Sequence, residues 1–548
     1  MSTDWQSIAA AKRAERDAKL PQEWRLDASF LKDVNESSDV SVMHVPRTCG
    51  LLSEDDIALT ENYDATALLD ELASGQIKAI DVATAFCKRA AIAHQLTGCL
   101  TEMMFDQALE RAKMLDEYMS KEGKALGPLH GLPISLKLTI VLGYDVKGVA
   151  STIGFVSFIS RGLAKQNATI VDILLELGAV VFVKTNLPQT LMTADSENNI
   201  YGRVLNPHRL NLTAGGSSGG EGALIALRGS LLGVGTDIAG SVRIPALCDA
   251  IYGFKPTANR VPYTGQTSPA RPGAFPIAPC CGPLATSVRD LGLFLKNAIG
   301  DDPWARDEAA VGGPWREVPP VPRGKTLRIG LFVEEKATYP VHPVALRALQ
   351  TATKALEAAG HAVVPIPDDA VPSIAATLKL SWQYFTMDPK KTAVGHVAAS
   401  GEPFIKSIAT MRHPELADWA PGLDDVYGLN VQRRMTQKAW KDVIVREGLD
   451  AILMPTYQGS PPPHDMYGLP PYTVLANLLD YPAAALPFLK ADKKLDEPYV
   501  RDVKYTPPYN KEAMEGGPCG VQVMGKPMKD EELMRIIEVV DAVLKKAS

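Results

Sequence analysis

Two serines set among glycines, Ser217 in GGSSGGEGAL and Ser241 in GVGTDIAGSVRIP, stand 24 positions apart in this 548-residue chain. Upstream, Lys137 closes an apolar run in GLPISLKLTI. Glycine beside serine permits left-handed or close-approach backbone, so a hydroxyl and several N–H groups can crowd one reacting atom. Acyl transfer requires that combination: a nucleophile, a base and an oxyanion hole.

Ser241 is the candidate nucleophile, because the apolar run at 231–235 empties into a tight turn just before it. The amides of Ile238, Ala239, Gly240 and Ser241 can converge there, and one such donor is worth about 2.7–4 kcal/mol in the transition state. The plainer reading is a turn serine that satisfies its own backbone. Ser217 can accept one proton while donating another, which suits a relay between Ser241 and a lysine. Lys137 is a base only when neutral, and burial favours that form by penalising the ammonium. A lysine after an apolar run otherwise snorkels to the surface.

The segment 215–256, with Lys137 upstream, resembles the amidase signature family, the Ser–cis-Ser–Lys hydrolases. CKRAAIAHQLTGCLTE (87–102), GPLHGLPISLK (127–137), VKTNLPQTLM (183–192) and GGPCGVQVMG (516–525) extend the likeness over nearly the whole chain. The N-terminal pieces are most similar to fungal acetamidase-type members, while GGSSGGEGAL is shared with fatty acid amide hydrolases. The resemblance implies a cofactor-free, metal-free amidohydrolase with Lys137, Ser217 and Ser241 as its triad and a cis bond at Gly216–Ser217. It also implies a substrate contact at Leu191, with Met192 beside it.

Ser218 is expected to support the network. Thr236 and Asp237, just before the turn, are expected to hold it through side-chain bonds to backbone, and Arg243 to anchor the same loop. Two residues depart from the family pattern: Leu138 where an aspartate is common, and Ala239 where a glycine is usual. The expected substrate is a short or medium neutral amide, since no basic cluster stands ready for a charged acid. A long-chain amidase and a non-hydrolytic amidase-like subunit are the alternatives.

Other motifs compete for attention. GGSSG satisfies the G-x-S-x-G nucleophile elbow, but LNPHRLNLTA (205–214) is a poor strand to precede it. GVQVMGK (520–526) nearly spells a P-loop, yet Pro527 stands where Ser or Thr should hold magnesium. Cys519 reads as a small pocket or core residue rather than a thiol nucleophile. Ser217 with His464 would make a conventional triad, the rival to the lysine relay.

The region 1–125 reads as helical: SEDDIALT opens on a serine N-cap, LLDELASG stops at glycine, and KAIDVATAFCKRAAIAHQL has apolar residues at helical spacing. From 131 the pattern alternates, with LPISLKL and AVVFVKT (179–185) as strands around the helix ATIVDILLELG (168–178). Such alternation implies βα units on a buried, largely parallel sheet. A Pro/Gly-rich surface connection follows the 126–300 core at about 301–325. Beyond it LRIGLF, HPVALRALQTATKALEAAG and HAVVPI form another βαβ unit. DAILMP and GVQVMG read as later strands, and DEELMRIIEVVDAVLKK as a closing helix. The expected fold is one α/β domain over 1–548, a mixed central sheet flanked by helices on both faces, as the resemblance also implies.

Composition narrows the class. At 46% apolar and 22% charged the chain is an ordinary globular one, and a net charge of −6 argues against a nucleic-acid partner. Seven cysteines without CxxC spacing suggest neither a disulfide framework nor a zinc site. The N-terminus is too charged for a signal peptide, and no run approaches the ~20 apolar residues of a spanning helix. The expectation is a cytoplasmic enzyme without a transmembrane segment, acting on a small-molecule amide. A homodimer is left open, and the helix at 6–20 is expected to pack on the body.

Overall fold

Short apolar runs bounded by turn residues fold as strands when both of their faces can be covered. The computed structural model describes residues 4–137, 143–274 and 277–547. Its main sheet is built from β1 (Leu100–Met103), β2 (Pro133–Lys137), β3 (Val180–Thr185), β4 (Leu232–Asp237), β5 (Tyr252–Lys255) and β6 (Cys280–Ala285). It continues with β7 (Arg328–Leu331), β8 (Ala362–Pro365), β9 (Ala451–Pro455), β10 (Ala483–Lys490) and β11 (Pro518–Met524). The spatial order is β1-β3-β2-β4-β6-β5-β10-β11-β9-β7-β8. Every residue of β2, β3 and β4 is buried, so helices cover both faces where the lysine strand lies.

The sheet is mixed. β2 runs parallel to β3 and β4, and β7 parallel to β8 and β9. Between these two blocks β4, β6, β5, β10, β11 and β9 pair antiparallel in turn. The largely parallel sheet expected from alternation is therefore confined to the two flanks. Apolar runs report burial, and burial is indifferent to strand direction.

Most expected elements stand where the pattern put them. Ser53 caps the helix Glu54–Glu61 through a capping box with Asp56. The closing helix spans Asp530–Ala547, and the strand ending at Lys137 starts at Pro133. One element overturns the helical reading of 1–125: Leu100–Met103 is an edge strand, antiparallel to β3. Four residues are too few to show a period, and all four are buried. The N-terminal helix Trp5–Ala18 packs on the body, with Lys12 Nζ 2.9 Å from Glu102 and Arg13 donating to the Ile200 carbonyl at 2.7 Å. Within the 301–325 connection, Arg316 pairs with Glu531 of the closing helix at 2.5 Å. No helix among the described residues is long and apolar enough to cross a membrane.

Three short helices carry site residues: α1 (Gly219–Ala226), α2 (Arg243–Cys248) and α3 (Pro471–Leu479). α1 starts just after the first serine cluster and α2 just after Ser241.

Candidate active site

Lys137 ends β2, and its side chain lies wholly inside the protein. Its Nζ donates to Ser217 Oγ at 2.9 Å and to Thr236 Oγ1 at 3.4 Å. Burial pushes its pKa well below the usual lysine value, with the charges of Asp237 and Glu221 opposing that shift. The snorkelling alternative is thereby excluded.

Ser217 is fully buried and follows a cis Gly216–Ser217 peptide bond. Glycine is obligatory before it, because a Cβ on Gly216 would lie 2.5 Å from the Thr193 carbonyl oxygen. The Ser218 amide donates to the Ser241 carbonyl at 3.2 Å, which ties the two serine segments together. Ser218 acts here through its backbone; its hydroxyl has no hydrogen-bond partner among the described residues.

Ser241 sits at the mouth of this arrangement, 7% exposed, on the wall of a small pocket. A carboxylate shapes the turn before it. Asp237 Oδ1 accepts from the Gly240 amide at 2.8 Å, and Oδ2 from the Val242 amide at 3.2 Å. The Gly240 amide is therefore committed to Asp237. Among the described residues, the amides of Ile238, Ala239 and Ser241 have no acceptor. Gly240 has φ +125°, and a Cβ there would fall 2.2 Å from Thr473 Oγ1, so only glycine fits the turn.

Arg243 holds Asp237 from α2. Its Nε and one terminal nitrogen donate to the two carboxylate oxygens at 3.0 and 2.9 Å. The remaining donors reach Asn477 Oδ1, Gln522 Oε1 and the Thr473 carbonyl at 2.7, 2.6 and 2.8 Å. All five guanidinium donors are thus used. Asn477 Nδ2 also donates to Asp237 at 3.0 Å, and the Thr473 hydroxyl to the Ala239 carbonyl at 2.7 Å. These bonds outweigh burial and hold the Asp237 pKa down to about 2. Thr236 departs from expectation: its hydroxyl receives the lysine's bond instead of holding the turn's backbone. Asp237, the next residue, holds the turn's backbone instead.

The pocket encloses about 280 Å³, its mouth included. Leu191, Met192, Ile238 and Ala239 line it together with Ser241, Trp382, Met411 and Pro470. Among the described residues, no charged side chain lines it. Ala239 lines this space; Leu138 lies outside the described residues. A larger groove of about 840 Å³, over Val321, Leu327 and Leu533, holds none of these residues.

The rival assignments fail on geometry. His464 Nε2 lies 2.8 Å from the Leu210 carbonyl and Nδ1 3.5 Å from Asp195, with Ser217 bonded to neither nitrogen. Cys519 is buried in β11, and burial pushes its thiol up to about 12, far from a reactive thiolate.

A family profile for Amidase matches residues 81–534. The chain belongs to the amidase family. It is an amide-hydrolysing enzyme. An amidase of Gibberella moniliformis is 41% identical over 99% of both chains, and an acetamidase of Emericella nidulans 34% identical over 99% of both. Among solved structures, a fatty acid amide hydrolase superposes with a TM-score of 0.89 at 29% identity, covering 99% of this chain and 95% of that one. A bacterial aryl acylamidase, at 21% identity and a TM-score of 0.69, shares the fold.

Sequence reasoning missed several contributors to the amidase site. Thr473, Asn477 and Gln522 lie more than 200 positions from the turn they brace and carry no motif. Trp382 and Met411 also line the pocket, and nothing local distinguishes them from core residues. Glu221 was visible in GGSSGGEGAL as a charge inside an apolar helix, a signal that went unread.

Proposed function

We propose that this amidase cleaves short or medium neutral amides through a Ser241 acyl-enzyme, with Ser217 and Lys137 as the proton relay. The observation that carries the reading is the buried Lys137–Ser217 contact at 2.9 Å directly behind the pocket that exposes Ser241. Ser241 Oγ attacks the amide carbonyl carbon and passes its proton to Ser217, whose own proton moves to neutral Lys137. Free amides of the 238–241 turn receive the oxyanion, Gly240 serving instead as its hinge to Asp237. Ser217 then protonates the leaving nitrogen and is replenished from Lys137, so the C–N bond breaks without expelling an amide anion. Water attacks the acyl-enzyme through the same relay and releases the carboxylate.

A small pocket lined mainly by apolar side chains supports an uncharged acyl group. The likeness to a fatty acid amide hydrolase favours a second reading, a long-chain amidase. A panel of amides graded by acyl length separates the two, and exclusive use of long-chain amides would overturn the first. Ser241→Ala should abolish both turnover and labelling by a fluorophosphonate. Labelling that survives without the hydroxyl would refute the nucleophile.

A further inference from the structure

Beneath the lysine lies a buried carboxylate that the relay does not use. Glu221, on α1, is fully inaccessible, and each of its oxygens accepts one hydroxyl. Ser135 donates to Oε2 at 2.5 Å and Thr185 to Oε1 at 2.8 Å. Both donors are neighbours of Lys137. Ser135 precedes it by two positions on β2, hence on the same face, and Thr185 is its register partner across the sheet on β3. Gly233 on β4 leaves room for the carboxylate, since a Cβ there would fall 2.0 Å from Oε2. One side chain thus ties the lysine's own strand to the adjacent strand at the level of the lysine.

We infer that Glu221 is a positioning residue for Lys137, clamping β2 to β3 and setting the proton affinity of the base by its charge. The inference rests on Lys137 being the base, as proposed above.

The groups that face this pair are few. Asp237 on β4 and Glu221 on α1 are the charges that act on Lys137. Lys137 is in turn the charge that acts on Glu221, and Cys99, ahead of β1, is a thiol close enough to sense it. Lys184, beside Thr185, points to the other face of the sheet, where it donates to Ser151 at 2.9 Å. Burial lifts the Glu221 carboxyl to about 7. Its charge is therefore present at mildly alkaline pH, where it holds the proton on Lys137.

The test is the pH profile of kcat/KM on a neutral amide, measured on the full chain. Glu221→Gln keeps the shape, so one amide atom accepts and the other donates to the same two hydroxyls. It removes only the charge. The activity limb assigned to Lys137 should move to lower pH by about one unit, because nearby opposite charge no longer favours the ammonium. Ser135→Ala, which withdraws a bond that favours the ionised carboxylate, should move the limb the same way by less, and it reports if Glu221→Gln fails to fold. A limb unmoved in folded Glu221→Gln or Ser135→Ala, with only the plateau lowered, would reduce Glu221 to a structural residue and overturn the inference. So would a limb moved to higher pH. Failure of the base assignment is distinguishable, since Lys137→Ala would then retain the wild-type limb.

Discussion

Replacing Arg243 by methionine removes the hub of the 238–241 turn while keeping a side chain of similar length. Asp237 would lose two of its five hydrogen bonds and its only salt-bridge partner among the described residues, while remaining fully buried. The Asp237 pKa falls from an ordinary 3.8 to about 2 in the folded protein. That gap corresponds to roughly 2 kcal/mol of stability, present above the unfolded value and lost as pH falls through the folded one. Stranding a buried charge costs more than that linkage figure, about 3–5 kcal/mol. The turn would also lose its bond path to α3 and β11 through Asn477, Thr473 and Gln522. A displacement of about 1 Å in reacting groups costs on the order of 100-fold in rate. Arg243→Met should therefore lower kcat/KM about 100-fold and cut stability by about 3–5 kcal/mol, read by urea titration and thermal melting. The double variant Arg243→Met with Asp237→Asn strands no charge, so it should regain about 1–2 kcal/mol of that loss. Activity should stay low, because the hub is still missing. A double variant no more stable than Arg243→Met would refute the argument that Asp237's charge is what Arg243 compensates.

Lys137→Ala should lower kcat/KM by about 10²–10⁴-fold and erase the pH limb that rises as the wild-type lysine deprotonates, a plateau reached well below the usual lysine pKa. Asp249 is buried with neither carboxylate oxygen hydrogen-bonded among the described residues, and burial raises its pKa well above the usual range. Its ionisation opposes folding above the unfolded value of 3.8, so Asp249→Asn should raise the melting temperature at pH 8 and lose that advantage below pH 4. Trp382→Ala should extend the accepted acyl chain by opening the pocket wall, seen as a shift of the kcat/KM optimum along an amide series. Gly240→Ala should remain folded by circular dichroism yet lose nearly all activity, since its Cβ and Thr473 Oγ1 compete for the same space.

Much of this protein was legible in its residues. Glycine-flanked Ser217 and Ser241 and the apolar approach to Lys137 announce acyl transfer, because each local conformation leaves a mark in residue choice. Helices with a cap or glycine stop, such as Glu54–Glu61 and Ala65–Ser74, were readable for the same reason. What stayed hidden depends on which distant elements meet. β1 is too short to carry a period, and the antiparallel centre of the sheet leaves no trace in apolar runs that are buried either way. Thr236 took the bond of Lys137, a partner 99 positions away that its own neighbours do not specify. Glu221, Asn477 and Gln522 serve the site across 86, 234 and 279 positions of chain. Local sequence records backbone conformation and burial. Hydrogen-bond partners separated by hundreds of residues are chosen only when the sheet closes, and tertiary structure alone decides them.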